Sequence, residues 1–119
     1  MQLEVQCRGA MLFADMQGEI DMYETEKIRQ EVDRHIDADG ICHLVFNFSQ
    51  VSFIDSSGLG CVLGRYRRMQ EKGGQTSIVG ANPTVEKALL FSGIDRIIPL
   101  YPTIEAFSRK TGWQRGREI

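Results

Sequence analysis

The order in which strand-like and helix-like segments alternate constrains the fold of this chain more than any other feature. Two strand-like runs, 3–7 and 11–16, flank Gly9 and predict a β-hairpin with a short loop. From about residue 22 to residue 38 the apolar residues recur instead at steps of three and four. That spacing predicts an amphipathic helix directly after the hairpin.

The rest of the chain repeats a unit of one strand followed by one helix. The predicted strands are 44–49, 76–80 and 97–100, and the predicted helices begin after Asp55, after Asn82 and at Pro102-Thr103. The resulting order, β-β-α-β-α-β-α-β-α, predicts one α/β domain with a mixed, mostly parallel sheet, because each later crossover contains a helix. Right-handed crossovers would place the crossover helices on a common face of that sheet.

Length and charge agree with one small domain. A chain of 119 residues is long enough to close a single hydrophobic core. We assign residues 1–110 to the domain and 111–119 to a basic C-terminal tail that is expected to be disordered, with a contact to a partner or to nucleic acid as the minor alternative. The net charge of −2 gives no strong attraction to nucleic acid, so no direct nucleic-acid partner is expected.

Several classes of protein are disfavoured by composition. Charged residues interrupt every apolar stretch before the roughly 20 residues that a membrane span needs, so no membrane partner is expected. The N-terminus lacks the pattern of a signal peptide. Three cysteines without CxxC spacing are typical of reduced thiols in a cytoplasmic protein, and we expect them in the core. Neither His35 nor His43 has metal-ligand spacing, so neither a metal nor another cofactor is expected.

The most informative segment is Asp55-Ser-Ser-Gly-Leu-Gly60, where a strand leads into a helix. Together with Gly18-Glu-Ile-Asp21, Gly80-Ala-Asn-Pro83 and Gly93-Ile94, it resembles the STAS domain family. Within that family the chain is most similar to the single-domain anti-sigma factor antagonists of the sporulation and stress-response type. The resemblance extends over roughly residues 3–108 and implies the STAS fold.

The resemblance also implies a partner-switching function without catalysis. Unphosphorylated antagonists of this family bind an anti-sigma factor that is also a serine kinase, and thereby release a sigma factor. Phosphorylation of the second serine of the motif, here Ser57, abolishes binding, and a PP2C-type phosphatase restores it. Asp21 matches the aspartate beside the phosphorylated serine at the family's binding surface. The predicted partner-binding residues are Asp21, Asp55, Ser56, Gly58, Gly60, Arg65 and Asn82.

The physical chemistry of Ser57 is compatible with such a switch. A hydroxyl on the first turn of a helix lies where backbone N–H groups are unpaired, and a helix N-terminus tolerates an anion. Phosphorylation would nevertheless add about −1.5 to −2 charges beside Asp55. A partner shaped for a neutral hydroxyl would be repelled while the fold survives.

Simpler structural interpretations exist for each of these residues. Ser57, Asp21 and Asp55 would each serve as a helix N-cap, with Glu24 completing a capping box after Asp21. Asn82 is most simply a helix start. The glycines Gly58, Gly60 and Gly64 would allow close approach by the sheet or by a partner, and Arg65 is expected on a solvated helix face.

Two alternative functions remain open from the sequence. A scaffold subunit of a stress-sensing complex would use the same motif. A hydrolase or nucleotide-binding enzyme is disfavoured, because the motifs GxSxG and GxxxxGK[ST] are absent and the glycine spacing after residue 57 departs from GxGxxG. His43 is also expected at the end of a strand far from Ser57, where it would not act as its base.

Overall fold

A computed structural model describes residues 2–38 and 40–113 and shows one five-stranded sheet flanked by helices. The strands are β1 (Gln2–Arg8), β2 (Met11–Ile20), β3 (His43–Ile54), β4 (Gln75–Val79) and β5 (Leu100–Tyr101). The helices are α1 (Thr25–Ala38), α2 (Ser56–Glu71), α3 (Pro83–Ser92) and α4 (Ile104–Thr111), with a 3₁₀ turn at Ile94–Arg96. The predicted order of strands and helices is confirmed.

The sheet is mixed and mostly parallel, as predicted. β1 pairs antiparallel with β2, and every later neighbouring pair is parallel. Spatial order follows chain order, so each parallel crossover moves one position in the same direction. Crossovers of the usual right-handed sense then put α1, α2 and α3 on the same face of the sheet.

The core confirms that arrangement. On one face, Leu12 of β2 and Phe46 of β3 pack in a cluster with buried residues of α1, α2 and α3. On the other face, Phe13 and Val45 pack with Phe107 of α4. Adjacent strand residues point to opposite faces, so β2 and β3 each contribute to both clusters. Both faces of the central strands are therefore covered.

Two predicted strands differ from those observed. β3 does not end at Ser49 but continues to Ile54, because Val51 and Ile54 are buried and keep the strand in the sheet. It therefore leads into α2 with only one intervening residue. The last strand is shorter and later than the predicted segment 97–100, since a 3₁₀ turn precedes it.

The C-terminal boundary also lies later than residue 110. α4 runs through Thr111, and the ring of Trp113 packs against Phe13 with a centroid distance of 4.8 Å. The first three residues assigned to the tail are thus attached to the core. The predicted disorder of the tail's other residues, 114–119, concerns positions outside the described residues.

The predicted core location is wrong for Cys7 and Cys42, whereas Cys61 packs against the core with part of its surface exposed. Cys7 and Cys42 are exposed, Cys61 is half-buried, and none of the three forms a disulfide. Exposure follows from position, since Cys7 lies on the edge strand and Cys42 in the connection before β3. Across residues 2–38 and 40–113, no helix has the length and apolar character to span a membrane.

Candidate functional site

The ends of β2 and β3 bring the predicted site residues to one edge of the sheet. Ile20 and Ile54 are the last residues of these parallel strands and are paired in register. The next residues, Asp21 and Asp55, therefore leave the sheet side by side, and the Asp55 N–H donates to the Ile20 carbonyl over 3.1 Å. Ser57 lies two residues further on, in the first turn of α2.

Asp55 is the N-cap of α2. Its backbone is extended, and its carboxylate accepts a hydrogen bond of 2.9 Å from the Gly58 N–H. Ser56 and Ser57 are then the first two residues of the helix, and both are exposed. Among the residues that the structure describes, none is hydrogen-bonded to the Ser57 hydroxyl. The cap interpretation is thus right for Asp55 and wrong for Ser57.

Asp21 does not cap α1. Its carboxylate accepts from the Tyr23 N–H over 3.0 Å, and its carbonyl accepts from the Glu24 N–H over 3.0 Å. These bonds close a separate turn, and α1 begins only at Thr25. The predicted capping box is therefore wrong, because an aspartate-stabilised turn stands between the strand and the helix.

The packing of α2 against the sheet leaves no room for a side chain at Gly58, whereas Gly60 and Gly64 have room for one. A Cβ on Gly58 would lie 2.7 Å from Ile54 Cγ1 and 2.9 Å from the Ile20 carbonyl oxygen. Gly60 and Gly64 have open space at the same position. Close approach by the sheet thus explains the buried Gly58, which leaves it little surface for a partner.

A groove of about 240 Å³ separates the start of α1 from α2. Its lining consists of Thr25, Glu26 and Arg29 from α1 and Ser57, Gly60, Cys61, Gly64 and Arg65 from α2. Burial raises the pKa of the Cys61 thiol, and the nearby guanidinium groups of Arg65 and Arg29 partly oppose that effect. Ser57 therefore shares this groove with two cations.

Arg65 is not on a solvated helix face, so that prediction is wrong. The residue is only 7% exposed, and its Nε lies 2.7 Å from Oδ1 of Asp33 on α1. Arg68, one turn later, also approaches Asp33 and forms an ion pair with Asp37. Arg65 faces α1 because α2 packs there, and its charge is neutralised within the protein. We do not retain it as a partner contact.

Asn82 is the N-cap of α3, as its simplest interpretation predicts. Its side-chain oxygen accepts from the Val85 N–H over 2.8 Å, and its side-chain nitrogen donates to the Val51 carbonyl over 3.0 Å. Both ends of the amide are occupied within the protein. This bonding explains the residue as a tie between α3 and β3.

Sequence reasoning missed three exposed apolar side chains near the two aspartates. Met22 is 62% exposed, Tyr23 is 83% exposed and Phe53 is 43% exposed. Met22 and Tyr23 directly follow Asp21, and Phe53 lies two residues before Asp55. Met22 stands three residues before Thr25, in step with the apolar spacing of the following helix, so the spacing gave no sign of its exposure.

His43 lies at the opposite end of β3, as predicted. The strand has 12 residues at roughly 3.3 Å each, less where it is twisted, so His43 lies about 30 Å from the start of α2. Its Nε2 is hydrogen-bonded to Ser77 Oγ over 2.8 Å, and burial lowers its pKa. It is too far away to activate Ser57. No group of three or more potential metal ligands occurs within residues 2–38 and 40–113.

Comparison with known protein families identifies the family to which this fold belongs. The family model of the STAS domain matches residues 2–107. The chain belongs to the STAS domain family. The predicted STAS fold is thereby confirmed.

Several similar proteins are anti-sigma factor antagonists. An anti-sigma F factor antagonist of Paenibacillus polymyxa is 34% identical over 101 residues, which cover 85% of this STAS chain and 86% of the relative. The structure of the anti-sigma factor antagonist SpoIIAA in its unphosphorylated form has a TM-score of 0.77 and 33% identity, covering 96% of this chain and 98% of that one.

A second solved relative is a phosphorylated protein. The structure of the Bacillus cell fate determinant SpoIIAA in the phosphorylated form has a TM-score of 0.72 and 29% identity to this STAS chain. The match covers 92% of this chain and 99% of that one. These relatives are regulatory proteins, and SpoIIAA structures exist in an unphosphorylated and in a phosphorylated form.

Proposed function

We propose that this protein is a cytoplasmic anti-sigma factor antagonist that is switched off by phosphorylation of Ser57. The observation that carries the proposal is the exposed Ser57 hydroxyl on the first turn of α2, where Asp55 already provides the cap. A serine that is not needed to cap the helix is available for modification. The anti-sigma factor antagonists among the relatives support the regulatory assignment.

The switch has a simple chemistry in which this protein supplies only the acceptor. A serine kinase, proposed to be the anti-sigma factor itself, would transfer the γ-phosphoryl group of ATP to Ser57 Oγ. The new P–O bond forms as the bond to the β-phosphate oxygen breaks, ADP leaves, and the hydroxyl proton passes to a base on the kinase. A PP2C-type phosphatase would hydrolyse the ester with water and release inorganic phosphate.

The fold is expected to tolerate the phosphate. Backbone N–H groups in the first turn of α2 point towards solvent, and the helix dipole favours an anion at that end. The nearby carboxylates of Asp55 and Asp21 oppose it. These effects act in opposite directions on the folded state, so the main consequence falls on binding.

The binding surface is proposed to combine Asp21 and Ser57 with the exposed Met22, Tyr23 and Phe53. Apolar side chains at this exposure are typical of contact sites when they cluster beside polar residues. Burying a neutral hydroxyl there costs much less than burying a charged phosphate without a partner. One modification would therefore eject the anti-sigma factor.

The test is to map the phosphate after incubation with the recombinant anti-sigma kinase from the same genome and ATP. We expect one phosphate, on Ser57, by peptide mass spectrometry. Ser57→Ala should prevent its addition, whereas Ser56→Ala, one residue earlier on the same turn, should not. A phosphate on Ser56, or none on either serine, would contradict the assignment.

A further inference from the structure

Arg29 lies across the α1–α2 groove from the proposed phosphoacceptor. Both residues line this groove of about 240 Å³. The Arg29 side chain is 53% exposed, and its guanidinium is held by Glu26, one turn earlier on α1, with Nε donating over 3.1 Å. Glu26 is itself 58% exposed and also accepts from Gln30. Arg29 is thus a surface cation whose present partner is another exposed side chain.

Two guanidinium groups line the groove that contains Ser57, each already paired with a carboxylate. Arg65 forms part of its lining, and both Arg65 and Arg29 act electrostatically on Cys61, which lies one helical turn after Ser57 on α2. Arg65 is fixed by Asp33 at 2.7 Å, so it is not free to turn towards a new anion. Arg29 has no such buried tie.

We propose that phosphorylation of Ser57 draws Arg29 away from Glu26, so that the phosphorylated protein carries an internal arginine–phosphate clamp across the α1–α2 groove. This inference rests on the proposed function, because it takes Ser57 as the phosphoacceptor. The clamp joins the N-terminal turns of α1 and α2. It makes Arg29 a positioning residue for the phosphate.

The exchange of partners is favoured by charge and geometry. An exposed Glu–Arg pair at spacing i, i+3 contributes little to stability. A phosphoserine offers three oxygens and about −1.5 to −2 charges, and arginine binds it with two parallel hydrogen bonds. Gly60 and Gly64 leave open space along α2, since a Cβ added to either would meet no atom within 4 Å beyond its own helix backbone. The displaced Glu26 carboxylate remains solvated because it is at the surface.

The clamp would change what a partner meets at this surface. The unphosphorylated protein presents a neutral hydroxyl beside an occupied Glu26–Arg29 pair. The phosphorylated protein would present a dianion paired with Arg29 and a released Glu26 carboxylate. The phosphate and the released Glu26 carboxylate then face the partner in addition to Asp21, and the phosphate is held against removal. The clamp would therefore prolong the off state as well as define it.

The experiment is a ³¹P NMR pH titration of protein with phosphoserine incorporated at position 57 during translation, which needs no kinase. A guanidinium partner lowers the second pKa of a phosphate below its usual value of about 6. We expect a midpoint at least about half a unit below that value for wild type, and a return towards it for Arg29→Gln. Arg29→Lys, which keeps the charge but loses the paired geometry, should lie between them.

Arg34→Gln is the matched control. Arg34 forms the same i, i+3 pair on α1, with Glu31 at 2.5 Å, but it does not line the groove. Its variant should titrate like wild type. The clamp would be overturned if wild type and Arg29→Gln had equal midpoints. It would also be overturned if the midpoint rose equally in Arg29→Gln and Arg34→Gln.

A second readout separates this inference from the proposed function. On phosphorylation, the side-chain Nε–H resonance of Arg29 should shift, and that of Arg34 should not. If unphosphorylated protein fails to bind the anti-sigma factor while these shifts occur, the proposed function is wrong and the clamp stands. If binding is switched normally but the midpoints coincide, the clamp alone is wrong.

Discussion

Asp21 is the residue at which a local structural role and a partner contact are most easily separated. Asparagine can accept the same hydrogen bond from the Tyr23 N–H that the Asp21 carboxylate accepts over 3.0 Å. Asp21→Asn should therefore leave the melting temperature unchanged. If the carboxylate contacts the anti-sigma factor, the variant loses a charge-assisted hydrogen bond of about 1.5–3 kcal/mol. Calorimetric titration measures that loss, and unchanged affinity would return Asp21 to a purely structural role.

His43 provides a pH-dependent test of the core at the far end of the sheet. Burial lowers its pKa in the folded state, so the unfolded state binds more protons below its ordinary pKa of about 6.5. Above that pH, the neutral His43 makes its full contribution to the free energy of unfolding. The contribution is lost as the pH falls, by at most about 1.4 kcal/mol per pH unit.

The measurement is the free energy of unfolding between pH 7.5 and pH 5.5. The wild-type slope should be reduced in His43→Gln, even if that variant is less stable throughout. His35→Gln is the control, because His35 is only half-buried and bonded to the Glu31 carbonyl of its own helix. A wild-type slope retained by His43→Gln would contradict the assignment of the pH dependence to His43.

At the scale of elements, the position of α2 depends on how closely its first turn approaches β2 and β3. Gly58→Ala would place a methyl group 2.7 Å from Ile54 Cγ1 and 2.9 Å from the Ile20 carbonyl. Overpacking of this kind costs about 1–3 kcal/mol, so the melting temperature should fall by several degrees. Gly60→Ala has open space and should be neutral or stabilising by up to about 1 kcal/mol. Equal melting temperatures for the two variants would contradict this packing.

The helix starts that the sequence predicted correctly depend on local interactions. Asp55 and Asn82 cap their helices through N–H groups three residues away, which a sequence pattern can reveal. Arg65 could not be placed in the same way, because its burial depends on Asp33 of a different helix. The turn at Asp21 was mistaken for a cap because both use the same short carboxylate bond.

At the scale of the whole molecule, strand-like runs that alternate with helix-like spacing of apolar residues were sufficient to predict the sheet and the helices that cover it. Parallel pairing in chain order sets which strand ends meet, and it places Asp21 and Ser57 at one edge of the sheet. The packing of Trp113 on Phe13 was not predictable, since it joins the end of the chain to its second strand. The exposed Met22, Tyr23 and Phe53 were missed because exposure is a property of the assembled surface.

The central claim is that phosphorylation of Ser57 changes binding and not folding. The most direct measurement is the dissociation constant of the recombinant anti-sigma factor for unphosphorylated and Ser57-phosphorylated protein, with both melting temperatures recorded. We predict at least about tenfold weaker binding after phosphorylation, equivalent to about 1.4 kcal/mol, and melting temperatures within a few degrees of each other. Ser57→Ala treated with kinase and ATP should keep the tighter affinity. Equal affinity of the two wild-type forms, or weaker binding accompanied by unfolding, would contradict the account.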